Sequence, residues 1–225
     1  GTSPIAVAFS PDRSKAYVAN KLSNSVSVIS TSSKTVTATI AVGAQPTDLA
    51  VSSDGTIYVA NYAGNTVTVI SAAGAVIQTI SSINGPYALA FAGTALYVCS
   101  YTGGAVKVID ANPTSATYNT VIDSISGPTA PYDIAASPDG AAMYVTDATA
   151  STVTTIATAS RTITSTLSTV GGAHVAVSVY GGLFVTGGGT LLYPITGNQA
   201  GAAGTAGTAG GAGGTGGAGG AALSA

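Results

Sequence analysis

The chain of 225 residues is poor in charged side chains. It contains no Glu and no Trp, and charged residues make up 6% of the sequence, against roughly 25% in an ordinary soluble domain. Its net charge is −2 and its pI is about 4.9. The six Lys and Arg residues are scattered, whereas binding to a nucleic-acid backbone needs clustered basic side chains. The composition predicts that nucleic acid is not a partner.

Sulfur and long apolar runs are scarce as well. Cys99 is the single cysteine, so no intrachain disulfide framework can form, and a buried, inert thiol is expected there. The mean hydropathy is +0.46. Even so, Ser, Thr, Gly and Asn interrupt every apolar stretch before it approaches the ~18 residues that a spanning helix needs. The sequence therefore predicts no transmembrane segment.

Signatures of catalysis and of cofactor binding are also missing. The sequence has no phosphate-binding loop, no dinucleotide fingerprint and no G-x-S-x-G elbow. A lone His174 is a poor transition-metal site, since such centres need several N or S ligands. We therefore expect no cofactor, no metal and no catalytic residue, and an enzyme is the less favoured class.

What the sequence does contain is one strand-turn-strand phrase in five copies, about 40 residues apart. Each copy holds an apolar strand, a strand similar to Tyr-Val-Ala-Asn and a third strand rich in Val; the copies begin at Pro4, Pro46, Pro86, Pro131 and Gly172. This period with four short strands per unit is typical of a β-propeller. The fifth copy lacks a fourth strand. The prediction is an all-β propeller of four-stranded antiparallel blades, with four full blades and an incomplete fifth.

Two domains are predicted, with blades over residues 1–197 and a tail over residues 198–225 composed mainly of Gly, Ala and Thr. Such a tail buries too little to offset its ordering entropy. Gly1 precedes Pro4 by the spacing that separates Gly43 from Pro46. We therefore expect the chain to be part of a larger ring.

The units resemble the YVTN family of bacterial and archaeal propeller repeats. Unit 2 carries most of the phrase, as Pro46, Leu49 to Ser52, Asp54-Gly55, Tyr58 to Asn61 and Asn65 to Ile70. The resemblance implies a propeller often of seven blades, usually in exported or cell-surface proteins. Periplasmic members that bind DNA are known, but the acidic pI argues against that role here.

The tail is similar to the Gly-Ala-rich sequence of mycobacterial PE-PGRS proteins, as in Gly210 to Gly214 and Gly216 to Gly220. Together the two resemblances imply a secreted or cell-surface protein, possible association with the cell envelope, and an export signal upstream of this sequence.

A first group of candidate ligand-binding residues stands at the third position of each unit, where the first strand enters one mouth of the central tunnel. This column holds Ala6, Asp48, Ala88, Asp133 and His174. Two carboxylates and an imidazole could bind a cation or a polar ligand there. The alternative is structural, with Asp48 and Asp133 accepting backbone N–H bonds.

Two further groups are expected at the same mouth. A polar column follows the second strand, at Asn20, Asn61, Ser100 and Asp147; it could bind a sugar or a peptide, or it could cap the next turn. Tyr62, Tyr87, Tyr101 and Tyr132 are expected in loops, where aromatic rings beside polar groups favour carbohydrate or protein ligands. Tyr17, Tyr58, Tyr97 and Tyr144 are expected in the core.

These patterns predict a non-catalytic, surface or secreted propeller that serves as a binding scaffold for an unidentified protein or carbohydrate. The alternative is a lactonase-like propeller enzyme with a polar site at the tunnel mouth, for which Asp48, Asp133 and His174 are the available acid, base or metal-binding groups.

Overall fold

The computed structural model describes residues 1–169 and 174–186, and these residues form antiparallel β-sheets. Each complete blade contains four strands that pair in chain order. Blade 1 comprises β1 (Pro4–Phe9), β2 (Lys15–Asn20), β3 (Ser25–Ser30) and β4 (Thr35–Ala41). Blade 2 comprises β5 (Pro46–Val51), β6 (Ile57–Asn61), β7 (Thr66–Ile70) and β8 (Val76–Ile80).

Blades 3 and 4 repeat this arrangement. Blade 3 comprises β9 (Pro86–Ala92), β10 (Ala95–Ser100), β11 (Ala105–Asp110) and β12 (Val121–Ser126). Blade 4 comprises β13 (Pro131–Ala136), β14 (Ala142–Asp147), β15 (Thr152–Ala157) and β16 (Thr162–Ser168). In the fifth unit, β17 (His174–Val177) pairs with β18 (Leu183–Thr186). The predicted propeller of four-stranded antiparallel blades is confirmed.

The sequence explains the strands and the turns. Val, Ile, Thr and Tyr dominate the strands, and such residues pack well on a pleated, half-buried surface. The residue that precedes the third strand has positive φ in all four blades, at 50° for Asn24, 52° for Asn65, 59° for Gly104 and 51° for Ser151. Asn and Gly tolerate this left-handed conformation better than other residues, so they fit these tight reversals.

The hydrophobic core lies between consecutive blades. The second and third strands of one blade pack against the first strand of the next, so that Tyr17 and Val26 share a cluster with Leu49. Tyr58 and Leu89 meet in the same way in the following cluster. In β9, Leu89 packs in the cluster on one side and Ala88 in the cluster on the other. A first strand between two blades is thus covered on both faces, and it carries apolar residues on both instead of alternating.

The fourth strands differ from the sequence expectation. Their alternating Thr and apolar residues predict one buried and one wet face, yet β16 is exposed along its whole length and β4 along nearly all of it. Most of the residues in the cores between blades come from the first three strands. The outermost strand therefore receives little cover on either face.

Residues 198–225, the predicted tail, lie outside the described residues, as does the predicted third strand of the fifth unit. Within residues 1–169 and 174–186, no helix has the length and apolar character that crossing a membrane would require.

Candidate functional site: a tyrosine cluster at the mouth

An irregularity at the start of each first strand shapes one end of the blades, which we call the mouth. Pro46 is paired with Asn61, but Asp48 is paired with Ala60, so the residue between Pro46 and Asp48 is left over. Blades 1 and 4 show the same shift. Such a bulge bends a strand and redirects the side chain of its extra residue. In blades 3 and 4 the second residue of this strand is tyrosine, Tyr87 and Tyr132.

Four rings from three blades meet at this mouth and form the tyrosine cluster, Tyr62, Tyr87, Tyr101 and Tyr132. The ring centroids of Tyr87 and Tyr132 are 4.3 Å apart with an angle of 32° between the planes. Tyr62 stands edge-on to Tyr87 at 5.9 Å, and Tyr101 lies 5.9 Å from Tyr87. These separations are typical of favourable aromatic pairs. All four residues are half-buried, so part of each side chain remains exposed at the mouth.

The cluster is not a requirement of the repeat. Where blades 3 and 4 have Tyr87 and Tyr132, units 1 and 2 have Ile5 and Thr47. After the second strand, Tyr62 and Tyr101 occupy a position that holds Lys21 in blade 1 and Ala148 in blade 4. Because blades of the same fold form without these rings, folding alone does not explain their presence.

Two carboxylates behind the cluster bridge neighbouring blades. Asp48 accepts a hydrogen bond from the Leu49 N–H at 2.8 Å and one from the Leu89 N–H of the next blade at 2.8 Å. Asp133 accepts from Ile134 N–H at 2.9 Å and, across to the fifth unit, from Val175 N–H at 2.9 Å. The first strand is an edge strand with unpaired N–H groups, and these side chains pair some of them.

The pKa of Asp48 is raised from 3.8 to about 7. Burial of the carboxyl is the main cause, and the charge of Asp133 adds to it, while the hydrogen bonds from Leu89 and Leu49 act in the opposite direction. Burial disfavours the ionised form because the interior solvates a charge less well than water does. The mouth therefore contains a carboxyl group that gains and loses a proton near neutral pH.

His174 lies at the edge of the cluster. Its Nδ1 is 3.3 Å from the Oδ2 atom of Asp133, and its ring lies 5.5 Å from that of Tyr132. The side chain is largely exposed. Since Asp133 engages Nδ1, the other ring nitrogen is available to a ligand or to solvent.

The polar column that follows the second strand is more deeply buried than the tyrosine cluster. Asn20, Asn61 and Asp147 are at most 2% exposed. Asn61 donates from Nδ2 to the hydroxyls of Thr66 and Thr68, at 3.1 and 2.8 Å. Asn20 donates in the same way to Ser27, at 2.9 Å. These contacts join the second and third strands of one blade.

Asp147 anchors two loops. Its carboxylate accepts backbone N–H bonds from Thr129, Ala130, Thr149 and Ala150. Burial pushes the pKa of this carboxyl up, but the hydrogen bonds from Ala150, Ala130 and Thr129 together hold it below its ordinary value. Asp147 is thus an ionised structural group, which a ligand at the surface would not reach.

The structure brings part of the predicted site together. Tyr62, Tyr101, Asp133 and His174 join one connected group through Tyr87 and Tyr132. The side chains of Asn20 and Asn61 instead bond to the third strand of their own blade, and that of Asp147 bonds to two loops. Tyr87 and Tyr132 lie in strands and not in loops, because the bulge allows a strand residue to face the mouth. In the sequence, Tyr87 and Tyr132 can be recognised as site residues because units 1 and 2 have Ile5 and Thr47 at the same position.

No metal centre is evident in the described part of the chain, where no three His, Cys, Asp or Glu side chains lie close enough to hold an ion. Cys99 is buried as predicted, and burial raises the pKa of its thiol.

Comparison with known proteins agrees with this architecture. The family model described as YNCE-like beta-propeller matches residues 1–111. No curated protein sequence matches the chain. The chain is a β-propeller repeat protein.

Similar solved structures have diverse functions. Hydrazine synthase from Kuenenia stuttgartiensis superposes with a TM-score of 0.73 at 23% identity, over 82% of this chain and 55% of that one. Virginiamycin B lyase from Staphylococcus aureus has a TM-score of 0.71 at 16% identity, over 83% and 64%. A candidate 6-phosphogluconolactonase from Bacteroides uniformis has a TM-score of 0.71 at 16% identity, over 87% and 73%. The chain thus spans between about half and two thirds of the first two structures. At these identities, the likeness shows the fold alone.

Proposed function

We propose that the chain is a binding module that holds a carbohydrate on the tyrosine cluster. The observation that carries this proposal is the contact among four half-buried rings from three blades, at positions where other units have Ile, Thr, Lys or Ala. A tyrosine ring offers an apolar face and a polar hydroxyl. A saccharide has matching chemistry, with C–H faces that pack on rings and hydroxyls that form hydrogen bonds.

The surroundings of the cluster favour an uncharged ligand. The carboxylates of Asp48 and Asp133 hold backbone N–H groups of the neighbouring first strands, and the ring of His174 lies at the edge of the cluster. Anionic ligands are usually held by Arg or Lys, and in residues 1–169 and 174–186 the ring contacts of the cluster are with Tyr and His alone. A protein ligand would need a surface of about 800 Å² per partner, which extends well beyond four side chains. We therefore favour a saccharide over a protein.

Tyrosine fluorescence offers a direct test. Because the chain has no Trp, its ultraviolet emission comes from tyrosine, and a ligand stacked on the cluster should change it. We expect titration with a set of neutral oligosaccharides to give a saturable change for at least one of them. Tyr101→Ala should weaken that binding at least tenfold. Tyr180→Ala is the matched control, because Tyr180 is 91% exposed in the turn between β17 and β18.

Two results would overturn the proposal. One is the absence of saturable binding across the oligosaccharides. The other is binding that Tyr101→Ala and Tyr180→Ala weaken to the same extent. If a protein binds instead, and Tyr101→Ala weakens its binding at least tenfold, the tyrosine cluster is still the binding surface but its ligand is a protein and not a carbohydrate.

A second candidate function is lactonase-like catalysis at the same mouth. The specific observation in its favour is the His174–Asp133 pair beside Asp48, whose pKa is about 7, since acid–base catalysis works best with groups that titrate near the operating pH. The likeness to a lyase and to a candidate lactonase is compatible with it. Hydrolysis of gluconolactone followed by proton release, with loss of the rate in His174→Ala, would support this candidate. A metal bound stoichiometrically and lost in Asp133→Ala would support it too.

We further propose that the protein works outside the cytoplasm, at the cell surface or after secretion. The support is the low charge, the Thr- and Ser-rich surface and the YVTN and PE-PGRS resemblances, which remain predictions. Fractionation of the native host with an antibody to the blades tests this, and recovery in the cytoplasmic fraction alone would contradict it.

A further inference from the structure

One tyrosine hydroxyl at the end of the blades away from the mouth lacks the acceptor that its counterparts have. Tyr17, Tyr58 and Tyr97 occupy the same position of the second strand in blades 1 to 3, and all three are buried. The Tyr58 hydroxyl donates to the side-chain oxygen of Asn119 at 2.6 Å, and the Tyr97 hydroxyl donates to the carbonyl of Thr158 at 3.3 Å. No hydrogen bond joins the hydroxyl of Tyr17 to any of the described residues, although Tyr17 is only 3% exposed.

The missing acceptor is explained by the loop between the third and fourth strands of the next blade. Asn119 and Thr158 both belong to this loop, which in blade 2 comprises residues 71–75 and has no side chain longer than that of Ser. In three blades, this loop also donates a backbone N–H to the turn after the first strand, at 2.9 to 3.0 Å, in the pairs Thr31–Ser14, Ala111–Thr94 and Thr158–Ala141. Within residues 1–169 and 174–186, the equivalent Ala72 makes no such bond. The loop of blade 2 thus leaves Tyr17 uncovered on this side.

The result is a cavity of about 260 Å³ between blades 1 and 2, which Tyr17 and Ala72 line together with Asp12, Lys15 and Asp54. Hydrogen bonds from Ser10 and Ser14 lower the pKa of Asp12 to about 2. Burial raises the pKa of Asp54, but hydrogen bonds from Ser52 and Thr56 together hold it below its ordinary value. Both carboxylates are therefore ionised at neutral pH, and with one Lys among them the lining carries more negative than positive charge.

The interface between blades 3 and 4 shows which groups fill the equivalent place. There the loop of residues 158–161 supplies the Thr158 carbonyl, which accepts from the Tyr97 hydroxyl. Burial raises the pKa of Tyr97, and the guanidinium of Arg161 beside it acts in the opposite direction. The same guanidinium lies 3.9 Å from the carboxylate of Asp123. One short segment thus brings a carbonyl and a basic side chain to a tyrosine hydroxyl and a carboxylate.

We propose that the cavity between blades 1 and 2 binds a short basic peptide, with a backbone carbonyl on the Tyr17 hydroxyl and an Arg side chain facing Asp12 and Asp54. A guanidinium suits this place because its hydrogen bonds to carboxylates are charge-assisted. Two carboxylates disfavour an anion. In the described part of the chain, no third His, Cys, Asp or Glu completes a metal site with them. The cavity is at the opposite end of the blades from the tyrosine cluster, so it can be occupied independently of a saccharide there.

The test uses the capped tetrapeptide acetyl-Thr-Ala-Ser-Arg-amide, which has the sequence of residues 158–161, and NMR of the isotope-labelled 225-residue chain. We expect saturable shifts of the Gly55 and Ala72 N–H signals, since both residues line the cavity. Tyr17→Phe should weaken binding about fivefold, the value of one hydrogen bond. Tyr97→Phe is the matched control, because that hydroxyl is already bonded to Thr158, and it should leave the affinity within about twofold.

The charge is tested separately. A peptide with citrulline in place of Arg keeps the shape but not the charge, and it should bind at least about tenfold more weakly. Asp54→Asn should have a similar effect, whereas Asp139→Asn, which alters the same kind of turn in blade 4, should have none. A retained NMR spectrum shows that each variant is folded.

Three results would overturn the proposal. The first is the absence of saturable shifts at Gly55 and Ala72. The second is an equal affinity in Tyr17→Phe and wild type together with equal binding of the citrulline peptide, which would mean that neither the hydroxyl nor the charge is recognised. The third is a saturable shift of the same signals by calcium chloride alone that Asp54→Asn abolishes, which would make the cavity a cation site.

Discussion

The two ends of the blades differ in how regularly their residues and side-chain contacts repeat from blade to blade. At the end away from the mouth, the turn after the first strand repeats one device in blades 1, 2 and 4, where a Ser hydroxyl binds an Asp carboxylate two residues later; the pairs are Ser10–Asp12, Ser52–Asp54 and Ser137–Asp139. Each Asp also accepts the N–H two residues further on, at 3.0 to 3.1 Å. At the mouth, equivalent positions hold Ile, Thr, Lys, Ala or Tyr.

The difference separates residues that fold the chain from residues that are free to serve binding. A side chain that makes the same contact in several blades contributes to the repeat itself. A side chain that changes from blade to blade while the fold persists is available for another purpose. Asp147 also serves folding, although it lies at the mouth end and the other described blades have Asn or Ser at its position, because its contacts are with backbone N–H groups. The contacts of a side chain therefore show whether it serves folding or binding better than its position along the blade does.

The largest expected effect on stability comes from removing the carboxylate of Asp147, which anchors two loops. Asp147→Ala leaves four N–H donors without their acceptor. Ala130 is buried, and a buried donor without a partner costs about 1–3 kcal/mol, whereas Thr129, Thr149 and Ala150 are exposed and can turn to water. We expect the free energy of unfolding to fall by about 3 kcal/mol, as measured by urea denaturation at pH 7. A loss below 1 kcal/mol would show that the two loops do not depend on this carboxylate.

Stability should also fall as pH rises, because of Asp48. Its pKa is about 3.8 in the unfolded chain and about 7 in the folded one, so between these values the folded state binds the extra proton. Stability is therefore full below about pH 4 and is lost as pH rises toward about pH 7. One pKa unit equals about 1.4 kcal/mol. With a discount for the partial exposure of the residue, we expect a decrease of about 2–3 kcal/mol.

Urea denaturation across this range measures the effect, and Asp48→Asn should flatten the profile. Asp147 behaves oppositely, because its lowered pKa gives stability that is lost only when the pH falls below its ordinary titration range. A profile that rises from pH 4 to pH 7 in the wild type would contradict the assignment of Asp48.

A smaller effect is expected at the repeated turns. Asp54→Ala removes the hydrogen bonds to the Ser52 hydroxyl and the Thr56 N–H; Asp54 is exposed, whereas Ser52 and Thr56 are buried. We expect a loss of about 1 kcal/mol and unchanged oligosaccharide binding, measured by denaturation and by tyrosine fluorescence. If Asp54→Ala weakens binding as strongly as Tyr101→Ala does, the two ends are not independent.

The sequence predicts the fold well because the residues that determine a blade recur in every unit. Blade number, strand order and the buried Tyr17, Tyr58 and Tyr97 follow from residues that recur at a fixed period. The burial of the fourth strands was predicted less well, since the alternation of residues along β16 does not show how much of each face a neighbouring blade covers. The site is only partly predictable. The carboxylate bridge from Asp48 to Leu89 joins residues 41 apart, and no local pattern announces such a contact.

The smallest expected effect concerns the Tyr87 hydroxyl, and it sharpens the comparison within the cluster itself. This hydroxyl donates to the hydroxyl of Tyr132 at 2.8 Å, and Tyr87→Phe removes that bond while it keeps the ring. A partly exposed hydrogen bond between neutral groups contributes about 0.5–1 kcal/mol, so stability should change little.

Oligosaccharide binding by Tyr87→Phe then distinguishes two kinds of recognition. If the ligand stacks on ring faces, affinity should stay within about threefold of the wild type, because the faces of all four rings are retained and a difference below 1 kcal/mol corresponds to less than a factor of ten. If affinity falls as far as in Tyr101→Ala, the hydroxyl network and not the aromatic surface carries the contact. Since the Tyr87 hydroxyl is already engaged with Tyr132, we expect the first outcome, with stacking as the main contact and the hydroxyl pair holding the two rings in place.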